Sequence, residues 1–277
     1  MTSLVAWVGV DSRGPSSVYV ATDSRITWDR VPHRWEHGRK TYCTTRSAEL
    51  FGYVGNVFYP SSILPSVVEL LDLMPDSPSV QARQHAVERL IIDFWSDLPR
   101  YGLTDVSIVH ATRIGLGRSC DFGVQVLSHV VRTNSWTARQ LPIPTTSGHI
   151  SFEDGVHDDI GALGSGSSSV DSALKSWKES DSGGTSRAVF SAFCESLALG
   201  KDPASGGAPQ LVGLDRSHPA IRYGVRWYDR TYVCGTPMSQ NPSSENIQFY
   251  DELFQRVDFE GRLLEGAQRH TRRRKRH

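Results

Sequence analysis

The chain has 277 residues, of which 38% are hydrophobic and 22% are charged. This composition suits a packed core and argues against global disorder, and no apolar run approaches the roughly 18–20 residues that span a bilayer. The formal net charge is +0, but the last nine residues carry six basic side chains and no acidic one, so the rest of the chain is acidic.

Four runs in the first 55 residues have the apolar and β-branched character of strands, with turn-forming residues between them. They cover residues 2–10, 18–22, 40–44 and 49–55. Because a short turn cluster joins the first two runs, they predict an antiparallel hairpin. Asp23 follows the second strand, so this hairpin would return its carboxylate to the side of the N-terminus.

The remainder of the chain alternates between pairs of helices and groups of strands. Helical spacing of apolar residues predicts helices over 59–73, 79–98, 167–178 and 185–199. Strands are predicted over 105–111, 122–131, 136–141, 160–164, 210–214 and 221–227. The last predicted element is an amphipathic helix over 245–268. Two sheets packed face to face, with helix pairs outside them, would satisfy this order.

The start of the chain carries two groups suited to nucleophilic catalysis. Thr2 is small enough that Met1 is normally removed in a cell, which would leave Thr2 with a free α-amine. This amine, with an ordinary pKa of about 7.7–8.0, would accept the proton of the Thr2 hydroxyl. The chemistry also needs a cation that favours the neutral amine, a carboxylate that holds the cation, and an N–H for the oxyanion. Lys40, Asp23 and Gly55 stand at predicted strand ends from which they could reach Thr2.

Several short motifs follow one another along the chain. They are Thr2-Ser3-x-Val5-Ala6, Ala21-Thr22-Asp23-Ser24-Arg25-Ile26-Thr27, Arg39-Lys40, Gly52-Tyr53-Val54-Gly55, Gly164-Ser165-Gly166-Ser167 and Asp202-Pro203-Ala204-Ser205-Gly206-Gly207. In this order they resemble the motifs of proteasome β-subunits and HslV-type peptidases, which are N-terminal nucleophile (Ntn) hydrolases. The resemblance covers roughly residues 2–70 and 155–230.

The resemblance implies an α+β fold, the four-layer αββα sandwich of Ntn hydrolases. We expect this proteasome-like domain over residues 1–240, with an insertion at about 110–159. Residues 241–268 are predicted as a C-terminal helix, and 269–277 as a disordered basic tail.

The resemblance also implies the roles of the central site residues. Thr2, after loss of Met1, would be the nucleophile and its amine the base. Lys40 would lower the pKa of the amine, and Asp23 would orient Lys40. A hydrogen-bond network around the amine would be formed by Ser165, Asp202 and Ser205.

Further residues take supporting roles by the same resemblance. The N–H of Gly55 would contact the oxyanion, and Arg25 would support the turn at Asp23. An apolar pocket for the substrate residue before the scissile bond would be lined by Ile26, Tyr53 and Val57. Cleavage after hydrophobic residues is therefore the expected specificity.

The predicted activity is that of a threonine-type endopeptidase. The resemblance implies a homo-oligomeric ring, a peptide or unfolded protein as substrate, and an ATP-dependent unfoldase as a candidate partner. No propeptide precedes Thr2, which fits processing by methionine removal alone. Two alternatives stay open: a catalytically silent structural subunit of the same fold, and a small-molecule amidase of the Ntn class.

No cofactor, metal or membrane is expected. The four cysteines are far apart with no CxxC pair, and the histidines His33 and His37 have no cysteine or paired carboxylate as co-ligands. The N-terminus lacks the basic and apolar regions of a signal peptide, so a cytoplasmic protein is expected. The basic tail is interpreted as a solvated chain end rather than a nucleic-acid-binding segment.

Overall fold

The computed structural model describes residues 2–28, 31–99, 102–152, 161–242 and 247–271. The strands are β1 (Leu4–Asp11), β2 (Gly14–Thr22), β3 (Ile26–Trp28), β4 (Val31–Trp35), β5 (Thr41–Cys43), β6 (Glu49–Gly55), β7 (Val106–Ile114), β8 (Asp121–Val130), β9 (Ser135–Leu141), β10 (Gly148–His149), β11 (Ala162–Leu163), β12 (Gln210–Asp215), β13 (Ile221–Trp227), β14 (Arg230–Val233), β15 (Thr236–Met238), β16 (Phe249–Tyr250) and β17 (Arg256–Val257). The helices are α1 (Phe58–Leu73), α2 (Val80–Ser96), α3 (Ser167–Lys178) and α4 (Ser186–Leu199), and a short 3₁₀ turn covers Gly117–Ser119.

Two large sheets and one small hairpin contain these strands. The larger sheet has ten strands and runs β10-β1-β2-β12-β13-β14-β15, with β11 beside β1 and with β16 and β17 beside β13. The second sheet runs β5-β6-β7-β8-β9, and β3 pairs with β4 alone. The predicted hairpin of the first two strands is confirmed, because β1 and β2 pair antiparallel with Leu4 opposite Thr22.

Three apolar clusters form the core. One joins the larger sheet to α3 and α4 and contains Trp7 and Phe190. Another joins the five-stranded sheet to α1 and α2 and contains Phe51. The third includes side chains from both sheets, among them Leu4 and Leu50. Strands β1 and β6 are therefore buried on both faces, which explains why their sequences read as nearly continuous apolar runs.

The prediction of a four-layer αββα sandwich of the Ntn hydrolase type is wrong. Strands account for about 35% of the structure and helices for about 25%, with four helices in the part of the chain described. The sheets are unequal, with ten and five strands, and their pairings are mostly antiparallel. The C-terminal part of the chain adds strands to the larger sheet where a helix was expected. The fold is a predominantly antiparallel β structure with four helices.

The predicted helix over 245–268 is the largest local error. Within 247–271 the described backbone forms no α-helix; it makes the short strands β16 and β17, of which β16 runs parallel to β13. The Asp251 carboxylate accepts hydrogen bonds from the backbone N–H groups of Leu253 and Gln255, which closes a turn. Phe254 has a left-handed φ of 58°, and its ring stacks on Tyr250 with centroids 4.6 Å apart. Side-chain packing therefore overrides the helical spacing of the apolar residues.

Two other expectations for the middle and end of the chain also change. Residues 110–141, expected as part of an insertion, supply most of β7 and the integral strands β8 and β9 of the five-stranded sheet. Residues 153–160 lie outside the described residues, as does most of the basic tail, residues 272–277. Strands β3 and β4, which the sequence did not predict, pair antiparallel with Ile26 opposite Trp35. None of the helices that the described residues form has the length and apolarity needed to cross a bilayer.

We expect Phe254→Ala to lower the free energy of unfolding by about 2–4 kcal/mol, because a large ring is removed from a packed aromatic cluster. The Phe254 ring lies edge-on to Tyr19 at 5.6 Å and to Trp7 at 6.1 Å. Urea denaturation measures the change. Leu264→Ala is the matched control, since Leu264 is 38% exposed, and it should shift stability by less than about 0.5 kcal/mol. Equal effects of the two substitutions would contradict the role of the C-terminal segment in the core.

Candidate active site

The β1–β2 hairpin brings Asp23 directly beside the start of the chain. The register that pairs Leu4 with Thr22 places Ser3 opposite Asp23. The Asp23 N–H donates to the Ser3 carbonyl at 3.1 Å, and the Ser3 N–H donates to Asp23 Oδ1 at 3.1 Å. The expectation that the hairpin returns this carboxylate to the N-terminus is confirmed.

Lys40 and Asp23 form a buried ion pair next to Ser3. Lys40 Nζ lies 2.8 Å from Asp23 Oδ1 and 2.6 Å from the carbonyl oxygen of Arg25. Both side chains of the pair are 0% exposed. Burial lowers the pKa of Lys40, although the Asp23 carboxylate acts in the opposite direction. Asp23 Oδ1 thus contacts both the buried ammonium and the backbone N–H of the residue that follows Thr2.

The second oxygen of Asp23 ties this pair to the glycine-rich turn at 202–207. Asp23 Oδ2 accepts hydrogen bonds from the N–H groups of Arg25, at 3.1 Å, and of Gly206, at 2.9 Å. Three backbone N–H groups and one ammonium therefore surround the carboxylate. Such a set of donors compensates the cost of burying its charge.

Gln210 holds the backbone of Lys40 in place and was not found from the sequence. Its Oε1 accepts from the N–H groups of Lys40, at 3.0 Å, and Thr41, at 3.3 Å. Its Nε2 donates to the carbonyl oxygens of Asp23, at 3.1 Å, and Gly38, at 2.7 Å. Nothing in the spacing of a single glutamine at the start of a strand could have indicated this bridge.

Ser165, Asp202 and Ser205 meet in one hydrogen-bond network, and its expected place around the Thr2 amine stays a prediction. Asp202 Oδ2 accepts from Ser165 Oγ and from Ser205 Oγ, each at 2.7 Å. Burial by itself would raise the pKa of Asp202, but these hydroxyls and the Ala204 N–H hold it below its ordinary value. Asp202 therefore stays ionised at neutral pH as an acceptor for both serines.

Ser3 connects this network to the Lys40–Asp23 pair and is a second residue that the sequence did not reveal. Its Oγ donates to Ser205 Oγ at 2.8 Å, while its N–H binds Asp23. The backbone next to Thr2 is thus fixed from two sides by polar groups. Thr2 itself is fully buried in the structure, and Met1, whose removal the mechanism needs, lies outside the described residues.

Arg25 supports the turn at 202–207, whereas its expected role was to support the turn at Asp23. Its Nε donates to Glu36 Oε1 at 2.9 Å, and its Nη1 donates to the carbonyl oxygens of Pro203 and Ser205, both at 3.0 Å. The guanidinium therefore connects the β3–β4 hairpin to the turn that carries Ser205.

Gly55 ends β6 with a left-handed φ of 90°, at the edge where the expected oxyanion contact would lie. A Cβ at Gly55 would come within 2.2 Å of the Asp105 carbonyl oxygen, so a larger residue would force the backbone to move. The preceding Val54 lies 3.4 Å from where a Cβ of Gly164 would be, and Gly164 abuts the Thr2 carbonyl. The end of β6 and the start of the chain are therefore close neighbours.

Two of the three predicted pocket residues are buried in the structure. Tyr53 is fully buried in the cluster beside α1 and α2, and its hydroxyl donates to the Arg39 carbonyl oxygen at 3.0 Å. Val57 packs against the same cluster, whereas Ile26 is buried next to Gly38. Ile26 and Tyr53 are thus buried in the structure, and the lining of a substrate pocket by Ile26, Tyr53 and Val57 stays a prediction.

Gly164 lies against Thr2, the predicted nucleophile, and the effect of this close contact on stability can be tested. A Cβ at Gly164 would lie 1.8 Å from the Thr2 carbonyl oxygen, and its φ is 94°. Gly14 is a matched control, with a φ of 101° and no atom within 4 Å of an added Cβ. Gly164→Ala should destabilise the protein by about 1–3 kcal/mol more than Gly14→Ala, because the backbone at Thr2 must shift. Equal unfolding midpoints in urea would show that the contact carries no strain.

The expected site residues are thus mostly brought together, and comparison with known proteins adds no identification. No protein-family model matches the chain. No curated protein matches it at a significant level. Within the described ranges, no group of three or more histidine, cysteine, aspartate or glutamate side chains is arranged to hold a metal ion.

Proposed function

We propose that this protein is a threonine-type endopeptidase, in which Thr2 hydrolyses peptide bonds after Met1 has been removed. The observation that carries the proposal is the buried Asp23 carboxylate, which accepts from Lys40 Nζ at 2.8 Å and from the Ser3 N–H at 3.1 Å. This places a fixed cation two hydrogen bonds from the backbone that follows Thr2. A nearby cation favours the neutral form of an amine, which is the form that acts as a base.

In the proposed reaction the Thr2 α-amine accepts the proton of the Thr2 hydroxyl while Oγ attacks the carbonyl carbon of the scissile bond. The oxyanion that forms needs a backbone N–H donor, and Gly55 is our candidate. The protonated amine then gives its proton to the leaving amine, which leaves an acyl ester on Thr2. A water molecule, deprotonated by the same amine, hydrolyses this ester and restores the free hydroxyl.

The network of Ser165, Asp202 and Ser205 acts as a positioning unit in this mechanism. Through Ser3 Oγ and the Gly206 N–H it fixes the chain start and the Asp23 carboxylate relative to each other. Holding the nucleophile and the base accurately in place speeds the reaction, because less freedom of motion is lost on reaching the transition state. Thr2 is fully buried in the structure, so loss of Met1 must also make its hydroxyl accessible.

The substrate and the assembly belong to the same proposal. We propose a peptide or unfolded polypeptide as substrate, a homo-oligomeric ring as the working form and an ATP-dependent unfoldase as partner, all of which the resemblance to HslV-type peptidases implies. The cytoplasm is the proposed location, which the four free cysteines support. Because Ile26 and Tyr53 are buried, we propose no preference for one class of residue before the scissile bond. A substrate panel should therefore cover hydrophobic, acidic and basic residues.

Intact mass and peptide hydrolysis test this function together. The purified protein, expressed from its initiator methionine, should have the mass of the chain without Met1. It should also release fluorophore from at least one class of blocked peptide substrate. Retention of Met1, or release from simple amides but from no peptide, would overturn the peptidase proposal. A processed but wholly inactive protein would instead favour the silent structural subunit.

A further inference from the structure

A cavity beside α4 shares no lining residue with the candidate active site. It has a volume of about 380 Å³, within the range of small-molecule sites. Its walls come from the end of α3, the last turns of α4, the β13–β14 turn and residues 252–253. None of its lining residues belongs to the Asp23–Lys40 or Asp202 networks. The proposed peptidase activity therefore leaves this cavity unexplained.

Aromatic rings form much of its wall. Trp177 and Trp227 are buried, and Tyr228 is 72% exposed at the rim. The ring centroids of Trp227 and Tyr228 are 4.8 Å apart with an interplanar angle of 59°. Tyr228 also has a left-handed φ of 52°, a conformation that few tyrosines adopt. Ring faces that surround a hollow attract organic cations through their negative π surfaces.

Two carboxylates, Glu195 and Glu252, share this wall. Glu195 Oε2 accepts a hydrogen bond from Trp177 Nε1 at 2.8 Å, which fixes the carboxylate beside an aromatic ring. Burial raises the pKa of the Cys194 thiol well above its ordinary value, and the negative charges of Glu252 and Asp251 raise it further. Among the described residues that line the cavity, the carboxylates of Glu195 and Glu252 are the charged side chains, which favours a positive ligand.

A buried polar atom lies in the same wall. Ser191 is only 2% exposed, and its Oγ has no hydrogen-bond partner among the residues that the structure describes. An unsatisfied buried hydroxyl costs about 1–3 kcal/mol, so such atoms usually have a partner. Because Ser191 Oγ is itself inaccessible, the aromatic rings and the carboxylates, rather than this hydroxyl, decide which ligand fits the cavity.

We propose that this cavity binds a small organic cation, an ammonium compound with an apolar body, between Trp177, Trp227 and Tyr228. The carboxylates of Glu195 and Glu252 neutralise its charge, and the apolar body fills the space beside Leu253 and Leu199. The proposal is independent of the peptidase mechanism, since it requires neither Thr2 nor the loss of Met1.

Binding can be measured on the full chain by isothermal titration calorimetry, with tryptophan fluorescence as a second readout. The probes are benzyltrimethylammonium, choline and the neutral tert-butyl analogue of choline. We expect saturable binding of both cations and at least about tenfold weaker binding of the neutral analogue, since cation–π and carboxylate contacts are lost. Equal affinity for choline and its neutral analogue would overturn the proposal, as would no saturable binding of any probe.

Variants locate the binding site. Glu195→Gln and Glu252→Gln keep the shape of the side chain and remove its charge, and each should weaken cation binding about three- to tenfold. Tyr228→Ala, at an exposed position where the fold tolerates change, should weaken it similarly. Glu69→Gln, an exposed glutamate on α1, is the matched control and should have no effect. Unchanged binding in all three cavity variants would place the probe elsewhere and contradict the assignment.

Discussion

Thr2→Ala is expected to lower peptide hydrolysis by more than about a thousandfold, because removal of a nucleophile leaves only binding and oxyanion contacts to act. Thr2→Ser keeps a hydroxyl and the α-amine on one residue and should retain activity within about tenfold of the unmodified protein. Initial rates on the best peptide of the panel measure both variants.

The comparison needs equal processing of the three proteins. Alanine and serine are as small as threonine, so Met1 should be removed from each variant, and intact mass verifies this. Alanine also leaves the Ser3 hydrogen bonds to Asp23 and Ser205 in place, since these come from Ser3 itself. If Thr2→Ala keeps more than a tenth of the hydrolysis rate, Thr2 is not the nucleophile.

Lys40→Met is expected to cost both stability and activity. The substitution leaves the Asp23 carboxylate fully buried without its cation, and breaking a buried pair in this way typically costs about 3–5 kcal/mol. The N–H groups of Ser3, Arg25 and Gly206 still bind Asp23, so we expect the lower end of this range. Lys175→Met, on an exposed side chain of α3, is the control and should change stability by less than about 0.5 kcal/mol.

The pH profile separates the catalytic effect of Lys40 from the structural one. A cation near the Thr2 amine lowers the pKa of that amine, so its removal should raise the pKa. Because the neutral amine is the active base, the acid limb of the profile of kcat/KM should move to higher pH in folded Lys40→Met. The double variant of Lys40→Met and Asp23→Asn should lose less free energy of unfolding than the sum of the two single variants, because no unpaired charge is left buried. A lower kcat/KM in Lys40→Met with the acid limb at unchanged pH would show that Lys40 has only a structural role.

The position of Asp23 could be predicted from the sequence because it depends on one local hairpin. Asp23 lies directly after a strand that returns through a short turn, so its place beside Ser3 follows from the hairpin register. Ser165 and Ser205 lie in glycine-rich turns whose close packing needs small residues; a Cβ at Gly166 would lie 2.0 Å from Ser3 Oγ. Motifs of this kind specify backbone geometry over a few residues, and a sequence contains that information.

The direction of side chains in a strand buried on both sides could not be predicted. In β6 the burial pattern is nearly uniform, so alternation gives no sign of which face each residue takes. Tyr53 faces α1 and α2, whereas Gly52 faces Leu4 and Val20 of the larger sheet. The sequence alone therefore does not show that the Tyr53 side chain is directed towards the helices.

The fold class depends on long-range pairing that local patterns do not contain. The apolar residues 250, 253, 254 and 257 have helical spacing, yet Tyr250 pairs in a strand with Val225 and Phe254 packs against Trp7. These partners lie 25 and more than 200 residues away along the chain, so only the assembled core selects them. Gln210 and Ser3 were missed for the same reason, because each acts through partners distant in sequence.

Mapping of a covalent adduct tests the central claim most directly. The purified protein would be treated with a peptide epoxyketone, a reagent that needs both a hydroxyl and a free α-amine on one residue, and digested for tandem mass spectrometry. The proposed mechanism predicts one adduct, on an N-terminal peptide that begins at Thr2, and none in the Thr2→Ala variant. An N-terminal peptide that still begins at Met1 and carries no adduct, or an adduct on any other residue, would contradict it.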